Sequence, residues 1–155
     1  MRIRKFQKKD TVPSAELIYQ VFKKYNGNDY FDLKGVNEVL DLLDAKKRST
    51  ADLMVMFSRS SIVYVAEEGK QIIGVIRGSK NKITSLMVDG RFHKRGVGKK
   101  LIEKFEADAI SLGGEFIKIR SSLFAVSFYQ AQGFKKNTGI RKFMGLKVFN
   151  MKKNL

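Results

Sequence analysis

Residues 91–105 gather Lys94, Arg95, Lys99 and Lys100 around Gly96 and Gly98, at what reads as the start of a helix. A helix N-terminus carries partial positive charge and unpaired N–H groups, so four cations there are unfavourable unless something anionic is bound. The two glycines remove side chains where backbone N–H groups would approach phosphate oxygens closely. The chemistry on offer is the seating of a phosphorylated ligand. A solvated basic helix end after an ordinary turn accounts for the same residues. Two better-known phosphate loops fail on spacing. A Walker A loop needs glycine where His93 stands and Ser or Thr where Lys100 stands, and a dinucleotide fingerprint needs a third glycine at Leu101.

Composition bounds what the rest of the chain can do. At 155 residues it fits a single domain over 1–155, long enough to bury roughly 70% of its unfolded surface. A hydrophobic fraction of 43%, with 12 Phe and one Pro, points to a folded globule. Zero cysteines exclude disulfides, thiolate metal sites and any S-acyl enzyme, and a single His excludes a His-based metal cluster. The basic first ten residues lead into no apolar signal segment, and no run approaches the ~20 apolar residues of a membrane span. The expectation is a cytoplasmic protein without membrane attachment. The net charge of +16 attracts nucleic acid, acidic headgroups or polyphosphate ligands without choosing among them.

The elements that would position the loop follow from periodicity. Residues 1–6 form a first strand, and Thr11 and Pro13 open a helix whose Leu17, Ile18, Val21, Phe22 and Tyr25 share a face. Residues 26–28 stop it, and Val36, Val39, Leu40 and Leu43 stripe a second helix. Residues 62–66 and 72–76 bracket a Glu68-Gly69 turn, and residues 83–88 complete an antiparallel meander. The loop follows directly, with a helix that buries Leu101, Ile102, Phe105, Ala109 and Leu112 and ends at Gly113-Gly114. Residues 116–120 then form a strand parallel to 83–88, because a crossover helix joins them. A short helix through Phe128 and Tyr129 and a last strand over 143–151 finish the chain. The architecture is α+β, a mostly antiparallel sheet with one splayed parallel pair and helices on both faces.

In order and in residues this resembles the GCN5-related N-acetyltransferase (GNAT) family. The family's loop, Gln/Arg-x-x-Gly-x-Gly/Ala, falls on residues 93–98, with His93 in the place of Gln or Arg. Its later Ala-x-x-Phe-Tyr with a following Gly-Phe falls on Ala125, Phe128, Tyr129, Gly133 and Phe134. The resemblance covers roughly residues 61–152, and Ser122 stands where many members carry an Asn that contacts the cofactor's pantetheine arm.

The resemblance implies acetyl-CoA as cofactor. Its diphosphate would lie over the backbone of His93, Lys94, Arg95, Gly96, Val97, Gly98 and Lys99. The pantetheine arm would pair like an added strand with Leu86, Met87 and Val88, near Ser122. With no cysteine to accept the acetyl group, transfer runs directly from the thioester to an amine while both substrates are bound. Tyr129 matches the family's tyrosine that donates a proton to the departing thiolate. No acidic residue interrupts 83–88, which leaves Asp89 and Glu115 as candidates for the base, with a water relay as the other route. The family walls its acceptor slot with the first two helices and their connection, here residues 25–32. There Asp29 and Asp32 attract a cationic amine or cap helices. The acceptor is a small-molecule amine, or a protein N-terminus or lysine. Competing readings are a basic nucleic-acid-binding module and a GNAT-like protein that senses coenzyme A without turnover. The last strand, if exposed, offers an edge for a homodimer.

Overall fold

A computed structural model describes residues 1–26 and 29–155, and Gly27 and Asn28, part of the expected helix stop, lie outside the described residues. Seven strands form one sheet: β1 (Arg2–Lys5), β2 (Ile62–Glu68), β3 (Gln71–Ser79), β4 (Lys82–Val88), β5 (Phe116–Ser122), β6 (Lys135–Phe143) and β7 (Leu146–Asn154), in the order β1-β2-β3-β4-β5-β7-β6. Every neighbouring pair is antiparallel except β4 and β5, which run parallel as a crossover through α4 (Val97–Ser111) requires. That pair touches in register only at Lys82 and Lys118. Beyond that point the strands part. The register of β3 against β4 jumps from Gly78↔Ile83 to Arg77↔Ser85, so β4 carries the extra residue Thr84. A bulge of this kind bends its strand, and here the bend comes where β4 leaves β5.

Helices cover both faces, as the alternation of apolar side chains along each strand demands. One core lies under α4 and α5 (Val126–Ala131) and includes Ile73, Ile76, Leu101, Phe105, Ile117 and Phe134. The other lies under α1 (Thr11–Asn26), α2 (Leu33–Leu43) and α3 (Thr50–Ser58) and includes Ile18, Phe22, Val36, Phe57, Val75 and Val148. Pro13 sits in the first turn of α1, where its missing N–H has no intrahelical partner to lose. Among the described residues no helix is long and apolar enough to cross a membrane.

Four expectations change. Leu112 is 51% exposed, because α4 ends at Ser111 and the chain turns away from the apolar stripe. Helix α3 is an addition, capped by Ser49, whose Oγ accepts from the Asp52 N–H at 3.1 Å. The last strand divides in two at Met144-Gly145, so Phe143 ends β6 and β7 begins at Leu146. Strand β7 is also interior, between β5 and β6, and has no free edge for a dimer; the sheet edges are β1 and β6.

The start of α1 is tied to the sheet by charge. Arg4 on β1 donates to both carboxylate oxygens of Asp10 at 2.7 and 2.9 Å, and to both of Glu67 on β2. Asp10, only 3% exposed, also accepts from the Gln7 N–H at 2.7 Å. Burial alone would push the Asp10 carboxyl up, but the Arg4 and Gln7 hydrogen bonds and the Arg4 charge outweigh it and hold the carboxyl below the usual carboxylate range. A carboxyl lowered on folding stabilises the protein above its unfolded pKa, and the contribution is lost as pH falls through the folded value. Asp10→Ala is expected to cost about 3 kcal/mol in urea unfolding at pH 7, because it leaves a buried guanidinium with half its partners. It should also flatten the loss of stability below about pH 4. An unchanged acid slope in the variant would refute this role.

Candidate active site

The parting of β4 from β5 opens a cleft of about 760 Å³ that runs through the sheet from one helical layer to the other. Its walls take residues from α1, β4, the loop before α4, β5, α5 and the β6–β7 hairpin. On the β4 side the strand is paired to β3 through Leu86, Met87 and Val88, which leaves its other edge facing the gap. The Asp89 N–H is bonded to Ile73 O on β3 at 2.9 Å, and the Val88 carbonyl points the opposite way. Alternation along the strand then turns Leu86's backbone groups to the gap as well. Leu86 and Val88 pack with the α4 core and Met87 with the α1 core, so the three side chains line both halves of the cleft.

The loop at the open end is built by backbone geometry. Lys94 and Gly96 both take left-handed conformations, at φ 59° and 78°. Gly96 is the N-cap of α4, and a side chain there would meet open space, so its conformation alone calls for glycine. Gly98 has a different reason. A Cβ at that position would lie 2.9 Å from the Phe128 ring, so this glycine makes room for α5. The first bond of α4 runs from the Lys100 N–H to Gly96 O at 3.0 Å. The N–H groups of Val97, Gly98 and Lys99 therefore have no carbonyl within the helix. Lys94 and Lys99 are exposed beside them and line the cleft. Lys99 lies within 3.9 Å of Glu103, an exposed pair one turn along the helix. This end offers donors and positive charge together, which suits an anion such as a diphosphate.

His93 and Arg95 are placed otherwise than the loop pattern suggests. The His93 Nε2 is 2.9 Å from Val88 O, so the ring folds back onto the end of β4. Its other contacts are aromatic: Tyr25 of α1 lies 5.1 Å from it, and Tyr25 stacks on Phe124 at 4.8 Å. The Arg95 side chain does not line the cleft. It lies over the Phe92 ring at 4.8 Å and pairs with Glu68 at 3.3 Å, leaving only its backbone to face an anion. Ser122 lines the cleft from the end of β5, opposite the β4 edge.

Tyr129 also lines the cleft. It is 4% exposed and wedged edge-on between Phe128 and Phe134, at 5.1 and 5.6 Å between ring centroids. Burial alone pushes its phenol well above the usual tyrosine range. The group is held as a neutral O–H that can donate a proton but not take one up near neutral pH.

The carboxylates proposed from sequence are elsewhere. Asp89 caps the turn after β4, accepting from the Arg91 N–H at 2.9 Å, and pairs with the Arg91 guanidinium at 2.6 Å. Those hydrogen bonds, against the opposing effect of burial, hold its carboxyl below the usual range. Glu115 is exposed at the opposite end of β5 from Ser122. Asp32 caps α2 through the Lys34 N–H at 3.0 Å, and Asp29 accepts from the Lys147 N–H through its backbone carbonyl at 3.0 Å. None of the four lines the cleft, and among the described residues no Asp or Glu does. Sequence reasoning missed the basic residues Arg77, Lys82 and Arg120, which do line it. Each sits in a strand of alternating residues, where a polar side chain reads as solvent-facing.

A family model described as an acetyltransferase (GNAT) domain matches residues 34–155. Among solved structures, a GCN5-related N-acetyltransferase from Rhodopseudomonas palustris is similar over 99% of this chain and 95% of its own, with a TM-score of 0.80 at 19% identity. The PaiA N-acetyltransferase from Thermoplasma acidophilum, in complex with coenzyme A, is similar over 99% and 98%, with a TM-score of 0.74 at 20% identity. A GNAT acetyltransferase from Staphylococcus aureus Mu50 is similar over 99% and 98%, with a TM-score of 0.71 at 15% identity. At these identities the structural likeness is one of fold alone. With most of its length, from α2 to the last residue, matched by the family model, the chain belongs to the GNAT acetyltransferase family.

Proposed function

We propose that residues 1–155 act as one N-acetyltransferase domain that moves an acetyl group from acetyl-CoA directly to an amine while both are bound. The observation that carries this reading is the cleft itself. A strand edge with free backbone groups, a loop of unpaired N–H groups flanked by cations, and a protonated tyrosine share one opening through the sheet. The residues present fit the cofactor on those grounds. Acetyl-CoA, when bound, supplies a thioester whose acetyl carbon an amine can attack as the thiolate leaves.

Each residue has a role in this reading. The N–H groups of Val97, Gly98 and Lys99, with the backbone of Lys94, Arg95 and Gly96, hold the diphosphate, and the Lys94 and Lys99 ammonium groups add charge. The β4 edge over Leu86, Met87 and Val88 meets the pantetheine arm through the Leu86 backbone groups and the Val88 N–H, since Met87's turn to β3, and Ser122 faces it from β5. His93 occupies the Val88 carbonyl, so its part is to fix the end of β4 rather than to touch phosphate. Tyr129 gives its proton to the departing sulfur and regains one from water. The amine enters neutral and loses its extra proton to water, since no carboxylate stands in the cleft among the described residues. The absence of cysteine from the sequence supports direct transfer over an S-acyl enzyme.

Release of coenzyme A thiol over a panel of amines tests the reading. Tyr129→Phe is expected to lower kcat about 100-fold while acetyl-CoA affinity stays within about twofold. Because the phenol is held protonated, native activity should show no loss from its ionisation up to about pH 10. Unchanged kcat in the variant would remove Tyr129 from the mechanism.

A further inference from the structure

The part of the cleft on the α1–α3 face carries positive charge that the acetyltransfer reading does not use. Arg77 on β3 and Ser85 on β4 stand opposite each other in register, so their side chains leave the same face of the sheet. Strand alternation puts Lys82 on that face too, since Ile83 belongs to the α4 core. On β5, Ile117 and Ile119 point to the α4 core, which sends Arg120 the same way as Lys82. All four residues line the cleft.

This charge has no counter-ion. Among the described residues none of the three cations forms an ion pair. Burial alone lowers the Arg77 pKa. Burial first, and then the charges of Arg120 and Arg77, lower that of Lys82, so the cations are near enough to repel one another. Two buried polar atoms here are also unsatisfied: Arg77 Nε and Ser85 Oγ have no hydrogen-bond partner. A buried donor left unpaired costs about 1–3 kcal/mol, and these two belong to residues that stand opposite each other on β3 and β4. The rest of Arg77 is fixed, since it donates to Met56 O at 3.1 Å and lies over the Phe57 ring. Arg120 is steadied by the Phe143 ring, 4.0 Å from its guanidinium carbon. Pre-oriented guanidinium groups suit an oxyanion.

The loop before α4 cannot be served by the same group. Lys82 and Val88 lie at the two ends of β4, about 20 Å apart along the strand. The cleft therefore has an anion seat at each end. On this face of the sheet the cleft wall also takes apolar residues, Val21 and Phe22 of α1, Val39 of α2, and Phe143 and Val148 of the last hairpin.

We propose that the acceptor is an amine with an apolar body and an oxyanion, carboxylate or phosphate, and that Arg77, Lys82, Arg120 and Ser85 seat the oxyanion. This rests on the acetyltransfer reading. It replaces the cationic amine that Asp29 and Asp32 suggested, since neither of those carboxylates lines the cleft.

The test compares amines with and without the anion, with kcat/KM referred to the neutral-amine concentration at the assay pH: phenylalanine against phenylalaninamide, and O-phosphoethanolamine against ethanolamine. The expected result is kcat/KM at least about tenfold higher for the anionic member of one pair, as charge-assisted hydrogen bonds supply. Which pair responds tells carboxylate from phosphate. The double variant Lys82→Gln, Arg120→Gln changes exposed side chains and should bring kcat/KM for the anionic member down to that of its neutral partner. Equal or better turnover of the neutral amines, untouched by the variant, overturns the proposal and leaves acetyltransfer standing. Calorimetric titration with N-acetylphenylalanine and with inorganic phosphate reads the seat without turnover. Binding of either by the native protein that the double variant loses supports the seat even if no amine in the panel is acetylated. Binding of neither overturns it.

Discussion

The structure depends on two parallel strands that begin paired and do not stay so. A parallel connection needs a crossover, the crossover here is α4, and its N-terminus arrives at the end of β4 where the strands have already parted. One geometric fact thus sets a strand edge, a helix start and a gap side by side. In an ordinary sheet the gap would be closed by backbone hydrogen bonds, and leaving it open forfeits several of them. The opening persists because the bulge at Thr84 bends β4 and because each side is anchored independently, β4 by its ladder to β3 and β5 by its full ladder to β7. Aromatic stacking of Tyr25, His93 and Phe124 then ties α1 to the loop and to the end of β5.

Charge is spread unevenly over the molecule. Most of the chain's excess positive charge lies on exposed side chains, some resting on aromatic rings, as Lys136 does on Phe149 at 4.0 Å. The cleft wall adds Arg77, Lys82 and Arg120, and among the described residues no carboxylate lines the cleft. Where the fold has work for a carboxylate, it sets one against a cation, as with Asp10 and Arg4 or Lys153 and Glu106 at 2.6 Å. Tyr129 stands in contrast to these cations, since burial suppresses its ionisation while Lys94, Lys99, Lys82 and Arg120 line the same cleft.

Much of this was legible beforehand. The meander, the crossover and α4 could be read because a buried strand or helix face repeats apolar residues at a fixed period, and Ile62, Tyr64, Leu101 and Phe105 obey it. Strand β6 could not. It is an edge strand exposed along most of its length, so Lys135 and Lys136 carry no alternation to read. Helix α3 left a signal, Ser49 three residues before Asp52, but a short apolar run reads equally as strand. At the site, the loop's glycines were found by pattern while their reasons differ: conformation at Gly96, the Phe128 ring at Gly98. The direction of Arg95 and the cluster around Arg77 depend on pairings between distant strands, which spacing along a chain does not encode.

The central claim is that the open end of this cleft seats a diphosphate-bearing cofactor. Calorimetric titration with acetyl-CoA, for the native protein and for Lys94→Glu, Lys99→Glu, addresses it most directly. The account predicts one molecule bound per chain, with affinity that falls as salt rises and drops at least about tenfold in the variant. No binding to the native protein, or native-like binding by the variant at every salt concentration, would contradict it.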